Sequence, residues 1–129
     1  MATDPLVTQT QVLCDIHATK DGVAGFVLTW GPMANGDVGS QISLPGNADK
    51  TIQVTGTFGS GGSATLQGSN DGVNFFALTN PSGNTIALTS AGLQTVTEAV
   101  AYIRPAVTAG DGTTSLTVAV FCRNTQVKF

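Results

Sequence analysis

The sequence predicts an all-β protein, folded as an antiparallel two-sheet β-sandwich of the jelly-roll type. Short segments rich in Val, Ile, Thr and Phe recur along the chain, and Gly, Asn, Asp or Pro bounds nearly every one of them. No window of helical length carries an apolar stripe at helical spacing that is long enough to indicate a helix. Eight or more short strands joined by glycine turns favour two packed antiparallel sheets.

The clearest strand is KTIQVTGTF, in which Ile52, Val54, Gly56 and Phe58 share one face and polar side chains share the other. SLTVAVFCR alternates in the same way, so we expect its Leu, two Val and Cys to point inward and its Thr, Ala and Phe to point outward. The expected strands, in chain order, are 12–18, 25–30, 38–44, 50–58, 62–69, 74–79, 85–89, 93–98, 100–108 and 115–123.

A length of 129 residues suits one domain. Residues 1–11 are polar, contain a proline and show no consistent apolar face. We therefore expect an N-terminal arm there and a single β-sandwich domain over residues 12–129.

The charged fraction of 10% is far below the roughly 25% of an average globular protein, and Thr, Ser, Gly, Asn and Gln take its place. The net charge is −3, which argues against direct binding of nucleic acid. No segment approaches the roughly 20 apolar residues that span a bilayer, and the first residues do not resemble a secretion signal. We therefore expect no membrane association and synthesis in a cytosol.

The ionisable residues offer little for catalysis or metal binding. Cys14 and Cys122 are the two cysteines, and in a reducing compartment we expect two buried thiols. Asp15 and His17 would share a strand face, but they are expected to be an ordinary outward-facing pair, because a general base also needs an orienting partner and a nucleophile. We expect no catalytic residue, no cofactor and no metal site.

The stretch GSNDGVNFFAL places Asn70, Asp71 and Gly72 between two strand-like arms, which predicts a hairpin turn with Gly72 at positive φ. A calcium site formed by Asn70, Asp71 and Asn74 is a weaker alternative, since the spacing does not match an EF-hand loop.

Two registers of this hairpin are open. A three-residue loop places Leu66 opposite Phe76, whereas a two-residue Asp-Gly loop places Phe75 beside Gly68; matching of the apolar faces favours the first. In both, Phe75 and Phe76 point to opposite sides, so one ring is in the core and the other is available to a partner.

The stretch TWGPMANGDVG has the composition of a loop and contains Trp30, Pro32 and Met33. Exposed aromatic and Met side chains on loops are typical interface anchors. In the alternative, Trp30 ends a strand and closes one end of the sandwich, with Pro32 and Met33 covering it. We expect partner contacts at Trp30, Pro32, Met33 and Phe75.

The succession GDVG, DKTIQVTGTFG, LQGSNDGVNFFAL and YIRPAVTAGDGTTSLTVAVF, within residues 28–123, resembles the head decoration or cement proteins of tailed bacteriophages. GSNDGVNF also recurs in discoidin-like and carbohydrate-binding sandwiches. The resemblance implies a jelly-roll or similar sandwich that assembles as a dimer or trimer on the outer capsid surface and clamps neighbouring major capsid subunits. It brings no catalytic residues.

Two other functions stay open. A carbohydrate-binding module would require Trp30, Tyr102 and one of the two adjacent phenylalanines to converge on a sugar. A phage tail or fibre component would be a structural protein at a different place in the virion. An enzyme is the least favoured class.

Overall fold

The computed structural model describes residues 11–18, 25–43 and 49–123, so the expected arm falls outside the described residues except for its last position. Within these ranges the chain forms strands and turns and no helix, and so no helix that could cross a membrane. The strands are β1 Gln11–Val12, β2 Cys14–Ala18, β3 Gly25–Met33, β4 Val38–Gly39, β5 Asp49–Thr57, β6 Ser63–Ser69, β7 Phe76–Ala77, β8 Gly92–Val96, β9 Tyr102–Ala109 and β10 Ser115–Arg123.

These strands form two five-stranded sheets. The first sheet has the order β1-β4-β9-β6-β7, and the second sheet has the order β2-β3-β10-β5-β8. Every strand pair is antiparallel except β1 with β4. The expected all-β, antiparallel two-sheet sandwich is confirmed, whereas the finer jelly-roll description stays a prediction.

The core lies between the sheets and follows the two-residue period of β5 and β10. Ile52, Val54, Val118 and Val120 are fully buried, as the alternation predicts. Each such side chain stabilises the fold by about 1.5–3 kcal/mol relative to an exposed one. The opposite face of β10 is only half-buried, so the part of the chain that the structure describes places no second layer over this side of the strand.

β3 continues three residues beyond the expected end, through the stretch predicted to be a loop. Trp30 and Met33 are both 0% exposed, so the prediction that they anchor a partner is wrong. The alternative is correct in burying Trp30 and Met33, but β3 does not end at Trp30 and runs on to Met33. The Trp30 Nε1 donates a hydrogen bond to the Ser40 carbonyl oxygen at 2.9 Å. Pro32 is exposed, and its contact with a partner stays a prediction.

A proline is compatible with this strand because the neighbouring pairing is incomplete there. β2 pairs with β3 only as far as Trp30, and the pairing with β10 is irregular between Leu116 and Val118. A residue without an N–H therefore disturbs few ladder hydrogen bonds.

Three expected strands are shorter than predicted or do not form. Of 74–79 only β7, Phe76–Ala77, is a strand. Segment 85–89 makes only isolated bridges, Thr79 with Thr85 and Ala64 with Leu88, and the stretch 38–44 contains β4 and a bridge between Ile42 and Ile103. Ile86 and Leu88 are nevertheless buried. Their apolar character reflects core packing and not membership of a strand.

Candidate functional site

The loop between β6 and β7 is organised by Asp71. One carboxylate oxygen, Oδ1, accepts hydrogen bonds from the backbone N–H groups of Val73 and Asn74 and from the Ser69 hydroxyl, each at 2.8 Å. The other, Oδ2, accepts one from the Asn74 side-chain amide at 2.8 Å. These hydrogen bonds, those of Asn74 and Val73 first, hold the pKa of Asp71 well below its usual range. Gly72 adopts φ +77°, so the predicted turn with positive φ is confirmed.

Both expected registers of this hairpin are wrong. The structure pairs Gly68 with Phe76 and Gln67 with Ala77, which lengthens the loop. The reason is local: the N–H groups of Val73 and Asn74 are bound to the Asp71 carboxylate, and so these residues belong to the turn and not to the ladder.

The adjacent phenylalanines have different environments. Phe75 is partly buried on the outer face of the first sheet, where the Arg104 guanidinium carbon lies 4.0 Å from its ring centroid. Arg104 Nε also donates to Gln67 Oε1 at 2.8 Å. Phe76, in contrast, is 72% exposed. Phe75 is therefore occupied by its own chain, and its predicted contact with a partner stays a prediction.

Phe76 borders an open recess of about 530 Å³ at one end of the sandwich. The recess is also lined by Leu78, Val100 and the carboxylate-bearing Asp71 and Glu98. The Thr79 hydroxyl and N–H donate to the two Glu98 carboxylate oxygens, at 2.6 and 2.9 Å, and these hydrogen bonds lower the Glu98 pKa. Both carboxylates are thus held by hydrogen bonds from their own chain.

Asp111 holds two hairpin loops together. It accepts hydrogen bonds from the Ser60 N–H at 2.8 Å, the Thr113 hydroxyl at 2.7 Å and the Thr113 N–H at 2.8 Å. The Thr113 hydroxyl is the largest cause of a pKa lowered to about 2. The sequence predicted a turn at this position, but the link to the distant loop was not foreseen.

Lys50 is a buried cation that sequence analysis missed. Its side chain is 5% exposed, its Nζ donates to the Glu98 carbonyl oxygen at 2.9 Å, and burial lowers its pKa. Lys50 precedes Ile52 and Val54 by the same two-residue step, so the inward periodicity of β5 contained the signal.

The two cysteines are free thiols. Cys122 is buried and Cys14 is half-buried; β3 lies between their strands, so β2 and β10 do not pair. Burial raises the pKa of each thiol to about 11, which leaves them largely protonated at neutral pH.

Asp15 and His17 are exposed on β2, opposite Thr29 and Val27, so the prediction that they share an outward strand face is confirmed. Among the residues that the structure describes, no group of three or more His, Cys, Asp and Glu side chains is placed to hold a metal ion.

The outer face of the second sheet is largely uncharged. We call it the open sheet face. Across neighbouring strands, its register joins Val27 to Phe121, Phe121 to Thr51, and Thr51 to Thr95. The next row has Ala119 between Thr29 and Gln53, ending at Leu93. Its described charges lie at the margins: Asp15 and His17 on β2, and an Asp49–Arg123 ion pair of 2.7 Å at the strand ends.

The side chains expected to contact a partner do not converge on one site. Trp30 and Met33 are in the core, Pro32 is exposed in β3, and Phe75 lies on the first sheet. Burial of Trp30 also removes one of the three rings that a sugar site was expected to use. Comparison with models of known protein families and with curated proteins finds no match to this chain.

Proposed function

We propose that this protein is a non-enzymatic structural component of a tailed bacteriophage virion. In this proposal it binds the outer surface of the assembled capsid, as a dimer or trimer, and stabilises the shell by bridging neighbouring major capsid subunits. The resemblance of the segments within residues 28–123 supports it, and the antiparallel sandwich is the fold class that the resemblance implies.

The observation that supports a structural role is that the loop carboxylates accept hydrogen bonds from backbone N–H groups of the protein itself. Asp71 and Asp111 bind the backbone N–H groups of their own turns, as described above, and Asp37 Oδ2 accepts the Ala34 N–H at 2.8 Å. Glu98 accepts the Thr79 N–H. Catalytic carboxylates are instead directed toward a place where a reacting atom can sit. These acids stiffen loops.

Stiff loops suit a protein that stabilises by binding alone. A protein that binds the assembled shell more tightly than its separate subunits shifts the equilibrium toward the shell by mass action. Preordered loops lose little conformational entropy on binding. An oligomer that contacts several shell subunits also gains affinity from multivalency, even where each contact is modest.

A carbohydrate-binding module is the second candidate, and one observation favours it. Phe76 is exposed beside a recess that Asn70, Asp71 and Asn74 also line, and an aromatic face next to oxygen-rich side chains is a common sugar platform. A glycan array with wild-type protein and Phe76→Ala tests this function; binding lost in the variant would support it.

Co-sedimentation tests the proposed function. Expanded shells from which the protein has been stripped are mixed with increasing amounts of purified protein, and unassembled capsid subunits serve as the control. We expect saturable binding to the shells at a symmetry-related copy number and much weaker binding to free subunits. Absence of saturable binding to shells would contradict the proposal, and binding to isolated tails would move the protein to the tail.

A further inference from the structure

We infer that the open sheet face is the self-association surface of this protein, and that it packs against the same face of a second copy. The inference deepens the proposed function, on which it rests for the role of the oligomer. It assigns the oligomer contact to the five strands β2, β3, β10, β5 and β8.

The composition of this face is that of an interface centre. The central row has Ala119 between Thr29 and Gln53, and the next row toward the Asp49–Arg123 pair has Phe121 between Val27 and Thr51. The cores of protein interfaces are enriched in aromatic residues and depleted of charged ones. The described charged side chains on this face lie at its edges, where water still reaches them in a complex.

The two outer faces of the sandwich differ in a way that points to the second sheet. On the first sheet, Phe75 and Arg104 fold over the surface, and outward-facing Thr65, Ser69 and Ala106 are only 6, 4 and 4% exposed. The protein thus covers that face with its own loop. On the open sheet face Thr117, Ala119 and Phe121 are half-buried, and within residues 11–18, 25–43 and 49–123 no loop folds over them as Phe75 and Arg104 do on the first sheet.

The area of the face is sufficient for a dimer. Five strands of five to nine residues, spaced about 4.8 Å apart with a rise of about 3.4 Å per residue, give a flat footprint of about 600 Å². Two copies together would bury about 1,200 Å², the lower end of the range for specific stable interfaces. Stacked sheets pack about 10 Å apart, and short Thr, Ala and Val side chains permit that approach.

A second copy is the occupant that this surface fits most directly. A sheet face without central charge does not repel a second copy of itself, and an isologous pair buries the rows of Ala119 and Phe121 on both sides of one symmetric contact. The net charge of −3 produces little repulsion between two copies.

Analytical ultracentrifugation of the full chain tests the inference with a matched pair of variants. Ala119→Glu places a carboxylate in the centre of the open sheet face, and Ala77→Glu places the same side chain on the exposed edge strand of the first sheet. Since an unpaired or like-charged carboxylate in an interface costs several kcal/mol, we expect Ala119→Glu to weaken self-association at least 100-fold. Ala77→Glu should associate like the wild type.

Thermal unfolding of each variant checks that it is folded. If Ala119→Glu does not fold, Gln53→Glu tests the same surface. Gln53 is exposed and lies opposite Ala119 on the neighbouring strand, and Glu adds one charge there with nearly the same side-chain shape. A wild-type protein that stays monomeric at about 100 µM, or an association that a folded Ala119→Glu or Gln53→Glu leaves unchanged, would overturn the inference.

Shell binding is measured separately on the same variants. A folded monomeric variant that still binds shells, with lower avidity, would show that self-association and shell binding use different surfaces. An oligomeric wild type that fails to bind shells would contradict the proposed function and leave the self-association surface standing.

Discussion

Replacement of Trp30 by Phe tests whether this ring stabilises the fold, as its burial indicates, or contacts a partner, as its sequence context suggested. The side chain is fully buried and its indole N–H donates to the Ser40 carbonyl oxygen. Phe fills most of the same space but cannot donate a hydrogen bond, so the substitution removes the bond and part of the ring.

The expected cost follows from these two losses. A carbonyl left without its donor costs about 1–3 kcal/mol, with the lower end for a partly buried group such as that of Ser40, and the smaller ring adds about 1 kcal/mol for lost contact and the residual cavity. The sum is about 2–4 kcal/mol in the free energy of unfolding. At roughly 4 °C per kcal/mol for a domain of this size, the melting temperature should fall by about 8–16 °C.

Urea unfolding followed by far-ultraviolet circular dichroism measures this change without relying on the fluorescence of the ring that is removed. Phe76→Leu is the control, because it alters an aromatic ring that is mostly exposed and should change the stability by less than about 0.5 kcal/mol. A Trp30→Phe variant as stable as the wild type, combined with loss of partner binding, would refute the assignment of Trp30 to the core.

Three further predictions concern turns and thiols. Gly72→Ala forces a left-handed residue and should destabilise by about 1 kcal/mol in thermal unfolding, whereas Gly112→Ala, which has open space around it, should be nearly neutral. The Asp111 pKa is lowered from 3.8 to about 2, so the ionised carboxylate stabilises the fold fully above pH 4, and this stabilisation is lost as the pH falls toward 2. In Asp111→Asn the urea midpoint should therefore depend less on pH between about 4 and 2 than in the wild type. Cys14 and Cys122 should react with a disulfide reagent at pH 8 much faster in urea than in the native state.

The strands that carry the core were predictable, because their two-residue period is strong. Ile52 and Val54 of β5 and the inward side of β10 are buried where the alternation placed them, whereas Gly56 is exposed and Phe58 is half-buried beyond the end of β5. Segment 85–89 was misassigned because Ile86 and Leu88 alternate like a strand, although the chain there makes only isolated bridges. Periodicity reports which side chains are buried and does not by itself report which backbone groups pair.

The register of the Asp71 hairpin could not be predicted from turn rules alone. Those rules count the residues of the turn, whereas the Asp71 carboxylate withdraws the N–H groups of Val73 and Asn74 from the ladder. Trp30 was misjudged for a related reason: Gly, Pro and Asn around it indicate a loop, but β3 tolerates Pro32 where its neighbouring strands pair incompletely.

The surfaces of the protein were less predictable than its core. Alternation alone placed Phe121 on an outer face, yet it did not show that Phe75 and Arg104 cover the first sheet whereas no described residue covers the second in the same way. That difference depends on how a loop folds back across a sheet, which is a tertiary contact between residues distant in sequence.

The thermal rupture temperature of expanded shells, measured with and without added protein, tests the proposed function most directly. Light scattering or release of packaged DNA reports rupture, and heat-unfolded protein at the same concentration is the control. If the protein stabilises the shell, the rupture temperature should rise with occupancy and level off when the sites are filled. A rupture temperature that stays constant while the protein is bound would contradict a cementing role.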